Sequence, residues 1–155
     1  MDTKNEKRVR VLGKLLFFLY IIFLLYFLIF SEWYGRSGEM NDYHYNLVLF
    51  QEIQRFWNYR EQLGWIAFAN LVGNVAIFIP FGFFMPMASR FRSFFLTFTY
   101  SFGFSLLVET FQLISKVGSF DVDDLVLNTL GGVIGYILFV IFNTIRRWRN
   151  AAQKR

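Results

Sequence analysis

The chain is poor in residues on which many small catalytic or metal-binding domains rely: it has no cysteine, one histidine and two prolines among 155 residues. The lack of cysteine excludes a disulfide framework, a thiolate nucleophile and a cysteine metal site. One imidazole, His44, does not build a histidine zinc centre, and no metal or cofactor is expected. His44 stands between Tyr43 and Tyr45 and reads as a loop residue. Charge is also scarce, and from Gln62 to Ser89 there is none. A charge-free run of that length suits the core of a bilayer.

Apolar surface is abundant. Apolar residues make up 55% of the chain and 22 residues are phenylalanine, more than a soluble domain of this size could bury, so the composition is that of a membrane protein. Lys4, Lys7, Arg8, Arg10 and Lys14 precede an apolar run from Leu15 to Phe30 broken only by tyrosines. The run is longer than the hydrophobic region of a signal peptide, and Ser31-Glu32-Trp33-Tyr34 follows in place of a small-x-small cleavage pattern. It therefore reads as an uncleaved first span. The expected fold is an all-α membrane protein with four transmembrane helices, at about residues 12–30, 65–88, 93–115 and 125–145. These lie in a membrane domain over 15–145, flanked by a basic N-terminus (1–14) and a basic tail (146–155). Pro80 is expected to kink or loosen the second span, which ends near Pro86.

Twelve of the 16 basic residues fall in the N-terminus, at Arg90 and Arg92, and in the tail, and four fall in the other two connections. Cytoplasmic loops are enriched in Lys and Arg, so a multi-pass protein of the cell membrane with both termini in the cytoplasm is expected. The same bias, with attraction to the anionic headgroups of the lipid bilayer, accounts for the net charge of +5 without nucleic-acid binding. In the first outward connection Leu47, Phe50, Ile53 and Trp57 recur three or four apart among Gln51, Glu52, Gln54, Arg55 and Asn58. That pattern predicts an amphipathic interfacial helix on the outer surface.

The densest polar sequence leads into the fourth span, from Ser119 to Tyr136, SFDVDDLVLNTLGGVIGY. Asp121, Asp123 and Asp124 stand where an N-cap side chain and negative charge both favour a helix start. Asn128 follows Asp124 by one turn. Gly131, Gly132 and Gly135 continue that side, with the small-xxx-small spacing that lets backbones approach in lipid. Leu127, Val133, Ile134, Ile137 and Phe139 are assigned to the lipid side.

Counting about 1.5 Å per helical residue puts Asn70 and Asn74 roughly 8 and 14 Å below the outer surface. The same count puts Glu109 roughly 24 Å from the opposite surface of a core about 30 Å thick, with Gln112 on its face. Asn70, Asn74, Glu109, Gln112, Asp124 and Asn128 therefore fall at comparable depth on three helices. Such groups either tie the helices together by hydrogen bonds or line an outward-opening polar pocket. A carboxylate facing lipid at a helix centre costs roughly 2.5–3.5 kcal/mol, which favours the pocket. Its ligand-binding candidates are Asn70, Asn74, Glu109, Gln112, Asp121, Asp124 and Asn128, with Gly131, Gly132 and Gly135 as helix-packing positions.

Three motifs carry a resemblance. They are Asn70-x-x-x-Asn74 with Phe78-Ile79-Pro80-Phe81-Gly82-Phe83-Phe84-Met85-Pro86, then Ser105-x-x-x-Glu109-x-x-Gln112, then Phe120-Asp121-Val122-Asp123-Asp124-x-x-x-Asn128-x-x-Gly131-x-x-x-Gly135-Tyr136. In this order and spacing they resemble the VanZ-like family. Asn46-Leu47-Val48-Leu49-Phe50 is similar to its outer-loop element, with Leu49 where many members have proline. The resemblance implies an integral membrane protein of Gram-positive-type bacteria, in a family whose namesake is linked to low-level resistance to the lipoglycopeptide antibiotic teicoplanin.

The expected function is non-enzymatic: an outward polar pocket binds an envelope lipid or lipoglycopeptide, with the first-loop helix covering the site. One alternative is a small membrane enzyme holding Mg²⁺ on Asp121-x-Asp123-Asp124 against a lipid phosphate, with Glu109 as base. Against it, the sequence offers no second Asp cluster, Gly-rich phosphate cradle or Ser or His partner. The other alternative is assembly, with the glycines packed on a partner helix.

Overall fold

A computed structural model describes residues 4–30, 43–116 and 118–152. In chain order the elements are α1 (Lys4–Phe30), β1 (Tyr45–Asn46), α2 (Gln51–Ala88), α3 (Phe94–Ser115), β2 (Phe120–Asp121) and α4 (Val122–Ala152). Four stretches are long and apolar enough to cross a membrane: Glu6–Phe27, Phe68–Ala88, Phe94–Ser115 and Val122–Ala152. The all-α, four-span expectation is met, although α1 begins at Lys4, well before residue 12, and α4 continues to Ala152.

The amphipathic helix and the second span are one element, α2. Its dihedral angles leave the helical region at Tyr59 (φ −117°, ψ 20°) and Gly64 (φ 63°, ψ −157°). The break at Gly64 lies ahead of the second span, where a positive φ costs glycine nothing and most residues a great deal. Pro80 and Pro86 lie inside the helix, away from these two irregular positions. Pro80 removes the N–H that would bond the carbonyl of Ala76, and the Tyr20 hydroxyl of α1 donates to the next carbonyl, that of Ile77. A neighbouring helix thus supplies a donor in the loosened turn.

Helix α2 is the centre of the bundle, packing extensively on α4, then on α1 and lightly on α3, while α3 leans chiefly on α4. A Cβ added at Gly131 would run into the Val75 carbonyl, and one at Gly135 into that of Ile79. At Gly132 it would meet the Ser101 side chain, and at Gly82 of α2 the Gly132 carbonyl. The glycine face is therefore closed within the chain against α2 and α3. Leu127 and Phe139, assigned above to lipid, are 8% and 3% exposed. The reason is spacing: Leu127, Gly131, Gly135 and Phe139 are four residues apart and share one stripe. Phe139 meets Phe83 edge-on, 6.2 Å between centroids, whereas Ile137 does face outward.

The phenylalanines join α1 and α3 to α2. Phe17 meets Phe81 edge-on at 5.3 Å, and Phe81 stacks on Phe104 at 5.3 Å. Leu24 and Phe78 are fully buried beside them.

Candidate functional site

The two connections at the acidic end of the bundle are tied together. β1 and β2 pair in parallel, with Tyr45 opposite Phe120 and Asn46 opposite Asp121. Phe120 N–H donates to the His44 carbonyl at 3.1 Å, so His44 contributes through its backbone. Asn46 forms a local Asx turn, its Oδ1 accepting Val48 N–H at 3.0 Å. Its Nδ2 reaches both carboxylate oxygens of Asp121, at 3.3 and 3.4 Å. The Lys116 ammonium lies 4.8 Å from the centre of the Tyr43 ring and adds a contact between the same two segments.

Asp121 caps α4, its Oδ1 accepting Asp123 N–H at 2.8 Å. Its own N–H donates to Glu109 Oε2 at 3.1 Å, which fixes the start of α4 to α3. Burial pushes the Asp121 carboxyl above the usual carboxylate range, while the Asp123 N–H and the Asn46 amide pull the other way.

Asp123 is turned away from its own helix. It is fully buried, and its carboxylate accepts the backbone N–H groups of Phe50, of Glu52 at 2.7 Å and of Ile53 at 3.4 Å. These groups open α2, whose N-cap residue Phe50 is left-handed (φ 65°) and makes no side-chain cap. A carboxylate from α4 thus caps the interfacial helix from outside, at the positive end of its dipole. The sequence carried one signal of this: Leu47-Val48-Leu49-Phe50 offers no capping side chain ahead of Gln51.

Deeper in, Asn74 of α2 donates to Asp124, and Asn128 Nδ2 donates to Ser105 Oγ of α3 at 3.0 Å. These bonds join α2 to α4 and α4 to α3. Gln112 is 7% exposed and its backbone carbonyl accepts Gly118 N–H at 3.4 Å. Asn46, Ser105 and Asp123 belong with the expected site residues although depth counting did not select them. The three aspartates diverge toward three sets of partners. Among the described residues no group of three His, Cys, Asp or Glu side chains could hold a metal ion.

Asn70 stands apart from this network. It is exposed on the side of α2 toward α1, where it lines a cavity of about 480 Å³ with Tyr20, Phe23, Phe27, Gly73 and Ala76. A second cavity of about 480 Å³ involves Leu25 of α1 and Phe104, Val108, Phe111 and Gln112 of α3. The sequence-expected polar groups therefore divide into a buried network and one amide beside an apolar trough.

A VanZ/LLP1 family model matches residues 17–143, a span that holds the whole network from Asn46 to Asn128. The chain is 28% identical over 134 residues to Protein VanZ of Enterococcus faecium, covering 86% of this chain and 77% of that protein. No solved structure matches it.

Proposed function

The chain belongs to the VanZ/LLP1 family of membrane proteins, and from that premise we propose that it binds an amphiphile at its outer face without catalysis. The amphiphile is an envelope lipid or a lipoglycopeptide of the teicoplanin type, and binding it contributes to low-level resistance. The observation that carries this reading is the trough between α1 and α2, apolar along Phe23, Phe27, Gly73 and Ala76 and bearing Asn70 as its amide. Its volume of about 480 Å³ is in the range of small-molecule sites. An acyl chain enters such a trough sideways from the bilayer, and its polar head then lies toward Asn70 and the exposed Trp65, a residue suited to the interface.

The carboxylate network supports the reading indirectly. Asp121, Asp123 and Glu109 turn oxygens toward backbone N–H groups, so they hold the interfacial helix and the start of α4 in place. That engagement favours a scaffold over an acid–base role. The twelve-to-four split of basic residues supports cytoplasmic termini. A reporter fused after Arg155 is expected inside, and finding it outside would reverse the orientation.

Gly73→Leu tests the trough. A Cβ at Gly73 meets nothing within 4 Å, so the side chain fills the trough without disturbing the bundle. Membrane abundance should equal that of the parent while protection against teicoplanin falls to the level of cells lacking the protein. Full protection at equal abundance would remove the trough from the function. A parent giving no protection would overturn the resistance reading itself.

A further inference from the structure

The end of the bundle opposite the carboxylate network holds a cation whose donors are incompletely met. Arg146 of α4 donates through Nη2 to Asn143 Oδ1 at 3.0 Å, but its Nε and Nη1 are buried and have no hydrogen-bond partner among the described residues. Nε–H and one Nη–H form the edge that grips two oxygens of a carboxylate or phosphate. No Asp or Glu occurs in residues 85–100 or 139–152, and Glu6 of α1, which reaches this end where Gly13 meets Met87, makes no hydrogen bond to Arg146 Nε or Nη1.

Position decides which anion is at hand. From Leu125 to Arg146 the helix rises about 32 Å at 1.5 Å per residue, which crosses a core about 30 Å thick. Arg146 therefore sits at headgroup level. Two turns earlier on the same face of α4, the Arg92 guanidinium lies 6.0 Å from the centre of the Phe139 ring, and the Arg92 carbonyl accepts the Tyr136 hydroxyl at 3.2 Å. The α2–α3 turn is thereby fastened to α4 and brings a second cation to that face. Arg147, the next residue, is exposed to solvent and headgroups alike.

We propose that Arg146 binds the phosphodiester of an anionic phospholipid through its Nε–Nη1 edge, in the leaflet at the basic end. The site is separate from the outer trough. The lipid phosphate supplies the two acceptors that the described residues do not, and Arg92 adds charge beside it.

Thermal melts of detergent-solubilised protein titrated with phosphatidylglycerol, phosphatidylcholine or inorganic phosphate test this. Phosphatidylglycerol should raise the melting temperature of the parent, and the other two should not. Arg146→Gln should weaken the apparent affinity for phosphatidylglycerol roughly tenfold, the loss of a charge-assisted pair of hydrogen bonds. Arg147→Gln, equal in charge change, should leave it near the parent value. Arg146→Lys keeps the charge and the fold but lacks the fork, and should fall with Arg146→Gln. Equal losses in Arg146→Gln and Arg147→Gln would reduce the effect to diffuse charge and overturn the site. So would parent-like affinity in Arg146→Lys, an equal shift from inorganic phosphate, or no shift from phosphatidylglycerol in the parent.

Discussion

Helices α1 and α4 are both apolar enough to span a bilayer, yet 44% of the apolar stretch of α4 is buried inside the protein against 17% of that of α1. Hydrophobicity does not produce this difference, because lipid tails and leucine side chains offer one another similar surroundings. Helix α4 has Gly131, Gly132 and Gly135, which admit the backbone of α2 and the side chain of Ser101, and carboxylates that bond outward to other elements. Helix α1 has Tyr20, which reaches the Ile77 carbonyl, and Gly13, where an added Cβ would strike Met87 near the end of α2. Its outer side, from Val11 through Leu15, Phe18 and Ile22, is exposed. A span is made by apolar length; its place in the bundle is made by small residues and polar partners.

The most direct way to break this comparison is to put a side chain into the α4 seam. Gly135→Leu would press against the Ile79 carbonyl and the Phe83 backbone, so a loss of about 3 kcal/mol or more is expected in detergent melts. Leu138→Ala, at a position 45% exposed, should cost below about 0.5 kcal/mol. Equal melts for the two variants would show that the seam is not where α4 gains its position.

The next effect concerns the cap that α4 lends to α2. Asp123→Ala leaves the N–H groups of Phe50, Glu52 and Ile53 without their acceptor, and a cost of about 2–3 kcal/mol follows. Because the interfacial helix joins its span through Gly64, this loss should also speed protease cleavage between residues 47 and 64. Parent-like cleavage there would mean that the interfacial helix is held by lipid alone.

The smallest loss expected at a contact between helices is on α1. Tyr20→Phe removes one hydrogen bond to a carbonyl on α2 while keeping the ring in its aromatic cluster, so about 0.6 kcal/mol is expected. A loss as large as that of Asp123→Ala would place α1 on a level with α4 and erase the contrast between them.

The sequence by itself determined the four spans and the glycine positions. These depend on local period and rise, which the helix imposes whatever surrounds it. It also showed that the start of α2 lacked a capping residue of its own, without showing what would supply one. Only the tertiary structure decided the partners. Asp123 serves another helix, Asn70 faces α1 while Asn74 one turn away bonds α4, and Leu127 and Phe139 join the glycine stripe inside the bundle. The two-residue parallel pairing of β1 with β2 has no periodic pattern from which to be read, being a meeting of two connections distant in sequence. The physical reason is the same in each case: depth follows from counting along one helix, whereas a partner depends on how the helices are rotated and ordered about one another, and close packing sets that only once the bundle has formed.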